Sequence, residues 1–216
     1  MNNMNEVAQK VAESLLQIKA IKLQPKKPFT WASGWKSPIY CDNRVALSHP
    51  PIRTYIRQKL SELIQEEFGS VQMISGVATA GIPQGVLVAQ DLGLPFTYVR
   101  SSSKDHGRQN QIEGEVVSGQ RVVVVEDLIS TGKSSLQAVQ ALRDADCNVV
   151  GLVSIFTYGF SEAEKNFADA KCRYLSLCDY DTLLAVAAKH NYILNNDIEL
   201  LEKWRANPAN WSPDHE

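Results

Sequence analysis

Residues 121–135 read RVVVVEDLISTGKSS, and this stretch constrains the fold more than any other. Val122, Val123, Val124 and Val125 are apolar on both sides of a pleat. A β-branched run of that length suits a strand covered on both faces, as in a parallel sheet. Two carboxylates, Glu126 and Asp127, follow at the point where the strand is expected to leave the sheet. A small, hydroxyl-rich turn comes next, Ser130-Thr131-Gly132-Lys133-Ser134-Ser135. Leu136, Val139 and Leu142 then recur at helical spacing. The order is strand, acidic pair, small loop, helix N-terminus.

The loop's backbone N–H groups and the positive end of the following helix make an anion site. The hydroxyls add donors, and Gly132 lets the backbone approach a ligand closely. A phosphate fits such a loop. The carboxylates repel phosphate and suit sugar hydroxyls, or a magnesium ion bridging to a phosphorylated ligand. A ligand with a phosphate at one end and a ribose in the middle satisfies both halves. Gly132-Lys133-Ser134 looks like the end of a P-loop, but the first glycine of that motif would fall on Asp127. A Rossmann glycine fingerprint is also missing at this turn. The bland alternative is a helix cap with incidental acids. The coincidence of two acids and a phosphate-type loop at a strand's carboxyl end weighs against it.

Residues 122–134 resemble the 5-phosphoribosyl-1-pyrophosphate signature of the type I phosphoribosyltransferases: apolar residues, two acids, then a small Thr-Gly loop. The resemblance implies that residues Glu126, Asp127, Leu128, Ile129, Ser130, Thr131, Gly132, Lys133 and Ser134 bind this donor. It leaves the accepting base open.

The chain's 216 residues suit one α/β unit. A hydrophobic fraction of 44% supports a buried core and is too high for a disordered chain. A net charge of −2 gives no basic field for a nucleic acid. No apolar run approaches a membrane span, and the start, MNNMNEVAQK, lacks the pattern of a signal peptide. Cys41, Cys147, Cys172 and Cys178 show no CxxC spacing and read as reduced packing residues of a cytoplasmic protein.

Residues 5–20 place Val7, Val11, Leu15 and Ile18 on one face of a helix. Residues 22–44 are broken by Pro25, Pro28, Gly34 and Pro38 and carry Phe29, Trp31, Trp35 and Tyr40. Two short strands around a Ser33-Gly34 turn are expected. Aromatics and cations at such a turn could grip a planar anion, and a surface hairpin with a buried aromatic face is the alternative. The run FTWASGWKSPIY resembles the N-terminal hood of orotate phosphoribosyltransferases. Ala32 stands where many of them carry an orotate-contacting lysine. Lys36, Tyr40 and Arg44 are the candidates left for the orotate side, with Ser130 facing the base as the family does. Arg44 is preferred for the carboxylate because its planar fork can grip one by donating two parallel bonds, and pairing with Asp42 is the alternative.

A helix over 51–68, a strand over 71–77 and a helix through residue 89 follow. Ala78-Thr79-Ala80-Gly81 forms the turn between them. Relatives often have a lysine where Ala80 stands, which leaves backbone N–H groups and the Thr79 hydroxyl for the pyrophosphate. A strand over 95–100 runs into SSSKDHGRQNQIEGEVVSG, a polar loop long enough to suggest function or mobility. Arg100, Lys104, His106-Gly107 and Ile112-Glu113-Gly114 resemble the catalytic flexible loop of orotate phosphoribosyltransferases. Ser101 replaces a second lysine found in other members. Arg100, Lys104, His106 and Asp127 are the expected catalytic set.

Strands near 71, 95, 122, 149 and 174 alternate with helices, which predicts an α/β chain with a mostly parallel, doubly wound sheet. The resemblance implies the type I phosphoribosyltransferase fold: one domain over 1–216, with a small N-terminal hood from 1–48, a core over about 50–190, and a tail packing back. It also implies transfer of ribose 5-phosphate to orotate in pyrimidine biosynthesis. Magnesium is the expected cofactor, carried by the donor rather than by protein ligands, and a homodimer with a shared catalytic loop is the expected assembly. A purine or uracil phosphoribosyltransferase would keep the central motif without the hood. A nucleotide- and RNA-binding regulator of the same fold would need a basic face.

Overall fold

The computed structural model describes residues 2–31, 33–101 and 111–212. The alternating valines set the layers. Arg121–Ile129 forms β8, with β5 (Met73–Val77) on one side and β9 (Asn148–Thr157) on the other. β6 (Phe96–Val99) lies beyond β5, and β10 (Tyr174–Asp179) beyond β9. These strands run parallel. A short edge strand, β7 (Ile112–Glu113), pairs antiparallel with β6 and completes a six-stranded sheet. Successive side chains on a strand point to opposite faces. Val123 and Val125 therefore pack with α1 (Asn2–Gln17), α2 (Pro50–Phe68), α3 (Gly81–Leu92) and α6 (Tyr180–Lys189). Val122 and Val124 pack with α4 (Lys133–Asp144) and α5 (Ser161–Asp169) on the other face. All four valines are fully buried.

One expectation is corrected here. The strand does not leave the sheet at the acids. β8 pairs with β5 only as far as Val125, opposite Gly76. Against β9 it continues, with Glu126 opposite Ser154 and Ile129 opposite Thr157. The acids thus lie on a strand supported on one side, where the neighbouring strand has ended. The chain order reverses between β5 and β8, so this opening is the switch point where ligands settle in doubly wound sheets. The turn after β5 approaches very closely: a Cβ at Gly81 would lie 2.5 Å from the Val125 carbonyl oxygen.

The hood has two layers of pairing. β2 (Phe29–Thr30) and β3 (Lys36–Ser37) form the expected hairpin around Gly34, whose φ is +88°. Outside it, β1 (Ile21–Leu23) pairs antiparallel with β4 (Ile39–Cys41). A short 3-10 helix, Asn43–Ser48, leads on to α2. Four elements have no counterpart in the sequence reading: β1, the 3-10 helix, β7, and α7 (Asn195–Ala206) within the tail. β7 is only two residues long, and α7 shows little apolar periodicity. Among the described residues no helix is long and apolar enough to cross a membrane.

Candidate active site

The loop after β8 is built as its composition requires. Gly132 caps α4 with φ +77°, and a Cβ there would meet the Phe167 ring at 2.6 Å. Only glycine satisfies both the left-handed backbone and the contact. The loop is held from below by Asn166, whose Nδ2 donates to the Thr131 carbonyl at 2.9 Å. Ser130 and Thr131 are half-buried, while Lys133 and Ser134 are exposed at the start of α4. Lys133 pairs with Glu162 of α5 at 2.9 Å, both largely in water. Leu128 and Ile129 pack into the two cores, so their part in any ligand site is confined to backbone.

The two acids differ in exposure. Glu126 is 5% exposed, and each of its oxygens is engaged. Oε1 accepts from the Asp127 backbone N–H at 3.0 Å, and Oε2 accepts from the Ser135 hydroxyl at 3.1 Å. Burial, then the neighbouring Asp127, pushes the Glu126 carboxyl well above its ordinary range. Burial also raises Asp127, but the Glu126 contact and the Arg44 charge act in the opposite direction. Both carboxyls are thus held above their ordinary range, chiefly by burial. The Glu126 carboxylate faces Ser135 and the strand backbone, while Asp127 is half-buried beside it and feels the Arg44 charge of the hood.

The hood brings cations and aromatics toward Asp127. Arg44 forks onto Asp42, with Nε and Nη2 donating at 2.6 and 3.0 Å. The pair is surface-lying, with the Arg44 side chain 60% exposed. This is the alternative raised for Arg44 from sequence, and it holds the guanidinium close enough to Asp127 to act on its carboxyl. Tyr40 is exposed and leans on Phe29 at 5.6 Å. Lys36 donates to the Thr30 hydroxyl at 2.9 Å across the hairpin. The structure gives no contact between Lys36 and the acids.

Arg100 follows β6 at the same end of the sheet. Its N–H donates to the Gln111 carbonyl at 2.9 Å, and its Nη1 lies 3.5 Å from Glu113. Lys104, His106 and Ala32 lie outside the described residues. The turn after β5 contains Thr79, exposed, and Ala80, half-buried. Sequence reasoning missed Asn43, Ser135 as the partner of Glu126, and Asn166. Asn43 and Asn166 act across 84 and 35 residues, a separation with no local signature.

Among the described residues no three His, Cys, Asp or Glu side chains converge as a metal cage. The oxygen donors at Asp127 suit a hard cation only as a minor contact.

Comparison with known proteins identifies the family. Residues 46–182 match the phosphoribosyl transferase domain. The chain is 57% identical over 200 residues to the orotate phosphoribosyltransferase of Bacteroides fragilis, covering 93% of this chain and 94% of that protein. It superposes on the crystal structure of orotate phosphoribosyltransferase from Aeropyrum pernix with a TM-score of 0.74 at 27% identity, over 85% of this chain and 99% of that one. The Mycobacterium tuberculosis orotate phosphoribosyltransferase in complex with 5-phospho-alpha-D-ribosyl 1-diphosphate gives a TM-score of 0.64 at 27% identity, over 82% and 98%. A domain match across most of the core, relatives spanning nearly the whole chain and close superposition on solved structures place this chain in the orotate phosphoribosyltransferases.

Proposed function

We propose that this chain joins orotate to phosphoribosyl pyrophosphate, forming orotidine 5′-monophosphate and releasing pyrophosphate. The observation that carries the reading is the position of Asp127. It stands at the switch point of the sheet, between a phosphate-type loop on one side and an aromatic, cationic hood on the other. A donor with its 5′-phosphate in the loop would put its ribose over Asp127 and its anomeric carbon toward the hood.

The roles follow from charge. Backbone N–H groups over 130–134 and the N-terminus of α4 hold the phosphate. Asp127 accepts from the ribose hydroxyls, while Glu126 fixes Ser135 and the Asp127 backbone. Bond breaking at the anomeric carbon leaves an electron-poor sugar and a highly charged pyrophosphate. Arg100, Lys104 and His106 stabilise that leaving group. Asp127 would be the nearest protein contact for a magnesium ion brought in with the donor, and such an ion would supply charge neutralisation at the leaving group. The planar orotate anion is met by Tyr40, Ser130 and a cation, Arg44 or Lys36. Closure of the loop containing Lys104 excludes water and protects the donor from hydrolysis. The active unit is a cytoplasmic homodimer in which each catalytic loop serves the neighbouring site.

The test is product formation with orotate, uracil and hypoxanthine in turn, each with phosphoribosyl pyrophosphate and magnesium. Orotate alone is expected to react, and turnover of another base in its place would overturn the reading. Mixing Lys104→Ala with Asp127→Asn protein, under conditions of subunit exchange, tests the shared loop. Activity is expected to reappear, because one site of each mixed dimer then carries neither change.

A further inference from the structure

The hood and the central strand are tied together by one buried side chain. Asn43 opens the 3-10 helix Asn43–Ser48 and is 1% exposed. Its Nδ2 donates to the Asp127 carbonyl oxygen at 2.7 Å. Its Oδ1 accepts from the Cys41 thiol at 3.3 Å. Both ends of the amide are matched, and flipping it would set its oxygen against the Asp127 carbonyl oxygen, acceptor against acceptor. The bonding continues beyond Asp127, through its N–H to Glu126 and from Glu126 to Ser135 in the first turn of α4. One hydrogen-bonded series therefore runs from hood strand β4, past the acid, to the helix that caps the phosphate loop.

We propose that Asn43 is a positioning residue, which sets the hood and its base site in register with the ribose site at Asp127. The kinetic part of this proposal rests on the orotate transfer proposed above. Base and sugar are gripped by segments far apart in the chain, and attack at the anomeric carbon needs them aligned. Asn43 uses the backbone carbonyl of Asp127 as its anchor, so the carboxylate stays available to ribose. The hood strands are two or three residues long and cannot fix their own position. Asn43 is the described side-chain hydrogen bond that joins the hood to β8 itself.

The experiment compares wild type with Asn43→Ala by steady-state kinetics, phosphoribosyl pyrophosphate binding, and amide hydrogen exchange over residues 21–48. The variant is expected to lose about thirtyfold in kcat, within the scale for a small misplacement of reacting groups. Donor affinity is expected to hold within about twofold, because the phosphate loop is untouched. Exchange should speed up in the hood while β8 and β9 stay protected. Wild-type kcat in a folded Asn43→Ala protein, with only a lower melting temperature, overturns the proposal and leaves Asn43 a structural contact. Cys41→Ala frees one end of the amide and serves if Asn43→Ala does not fold. It should show the same split at smaller size, and unchanged kcat and hood exchange would overturn the proposal. A wild type that makes no product from orotate sinks the substrate assignment alone, since hood exchange and donor binding still decide whether Asn43 holds the hood.

Discussion

Trp204 donates its indole N–H to the Lys36 carbonyl oxygen at 3.0 Å, across 168 residues of chain. The bond joins α7, near the C-terminus, to the hood hairpin near the N-terminus. Trp204 is fully buried and meets Trp31 edge-on at 5.7 Å, with Tyr158 and Phe160 at 5.7 and 5.5 Å. The hood has too little apolar surface to order itself. Aromatic rings from β9, the segment after it and α7 complete its core, and a buried indole needs a partner for its N–H.

Trp204→Phe keeps most of the ring area but leaves the Lys36 carbonyl without this donor. It should cost about 1–2 kcal/mol of stability, the scale of one lost buried bond. Trp204→Ala should cost about 3–5 kcal/mol through the cavity it leaves. Urea unfolding midpoints check both, and a Trp204→Phe protein as stable as wild type would mean that the bond contributes nothing.

Gly132→Ala forces a non-glycine residue to φ +77° and drives a Cβ to 2.6 Å from the Phe167 ring. The strain and the overlap together should destabilise by about 2–4 kcal/mol. Donor affinity should fall as well, because the loop's N–H groups shift. A Phe167→Leu background that restores stability but not donor affinity would separate the two effects. Unaltered donor binding in Gly132→Ala would count against a phosphate in this loop.

Asp127→Asn should lower kcat by about a hundredfold or more, since a preorganised contact to the reacting sugar is lost. Its melting temperature should hold or rise, because one of two adjacent buried acids becomes neutral. Full activity would remove Asp127 from the site.

The pH dependence of stability should reflect Glu126. Its carboxyl is raised above the ordinary value of 4.5 by burial first and by Asp127 second. A raised folded-state value means the protonated form is favoured by folding. The stabilisation is present below the unfolded value and is lost as pH rises through the folded one. Glu126→Gln cannot ionise, so its stability relative to wild type should increase as pH climbs from 4.5 through the raised folded value and level off above it. Parallel stability curves for the two proteins would refute the assignment.

Arg44→Ala breaks an exposed ion pair and should change stability by no more than about 1 kcal/mol. If Arg44 leaves Asp42 to hold the orotate carboxylate, the KM for orotate should rise strongly and that for phosphoribosyl pyrophosphate should barely move. Equal effects on both, or none, would leave Lys36 and backbone donors to meet the carboxylate.

Much of the protein was determined by local pattern. The four valines specified a strand buried on both faces, because a pleat alternates its side chains and each face needed apolar cover. Gly132 among small hydroxyl residues specified a tight turn into a helix, because backbone conformation there is a property of a few adjacent residues. The acidic pair and the hood run were legible for the same reason and pointed to one family. What the sequence could not state is which way each group faces and what it meets. Glu126 and Asp127 are neighbours in the chain, yet one accepts from Ser135 of α4 and the other feels Arg44 of the hood, because the strand turns them to opposite faces and the fold decides what covers each. Asn43, Asn166 and Trp204 find partners 84, 35 and 168 residues away. Those bonds exist only once the sheet has brought distant segments together, so tertiary structure alone decided them.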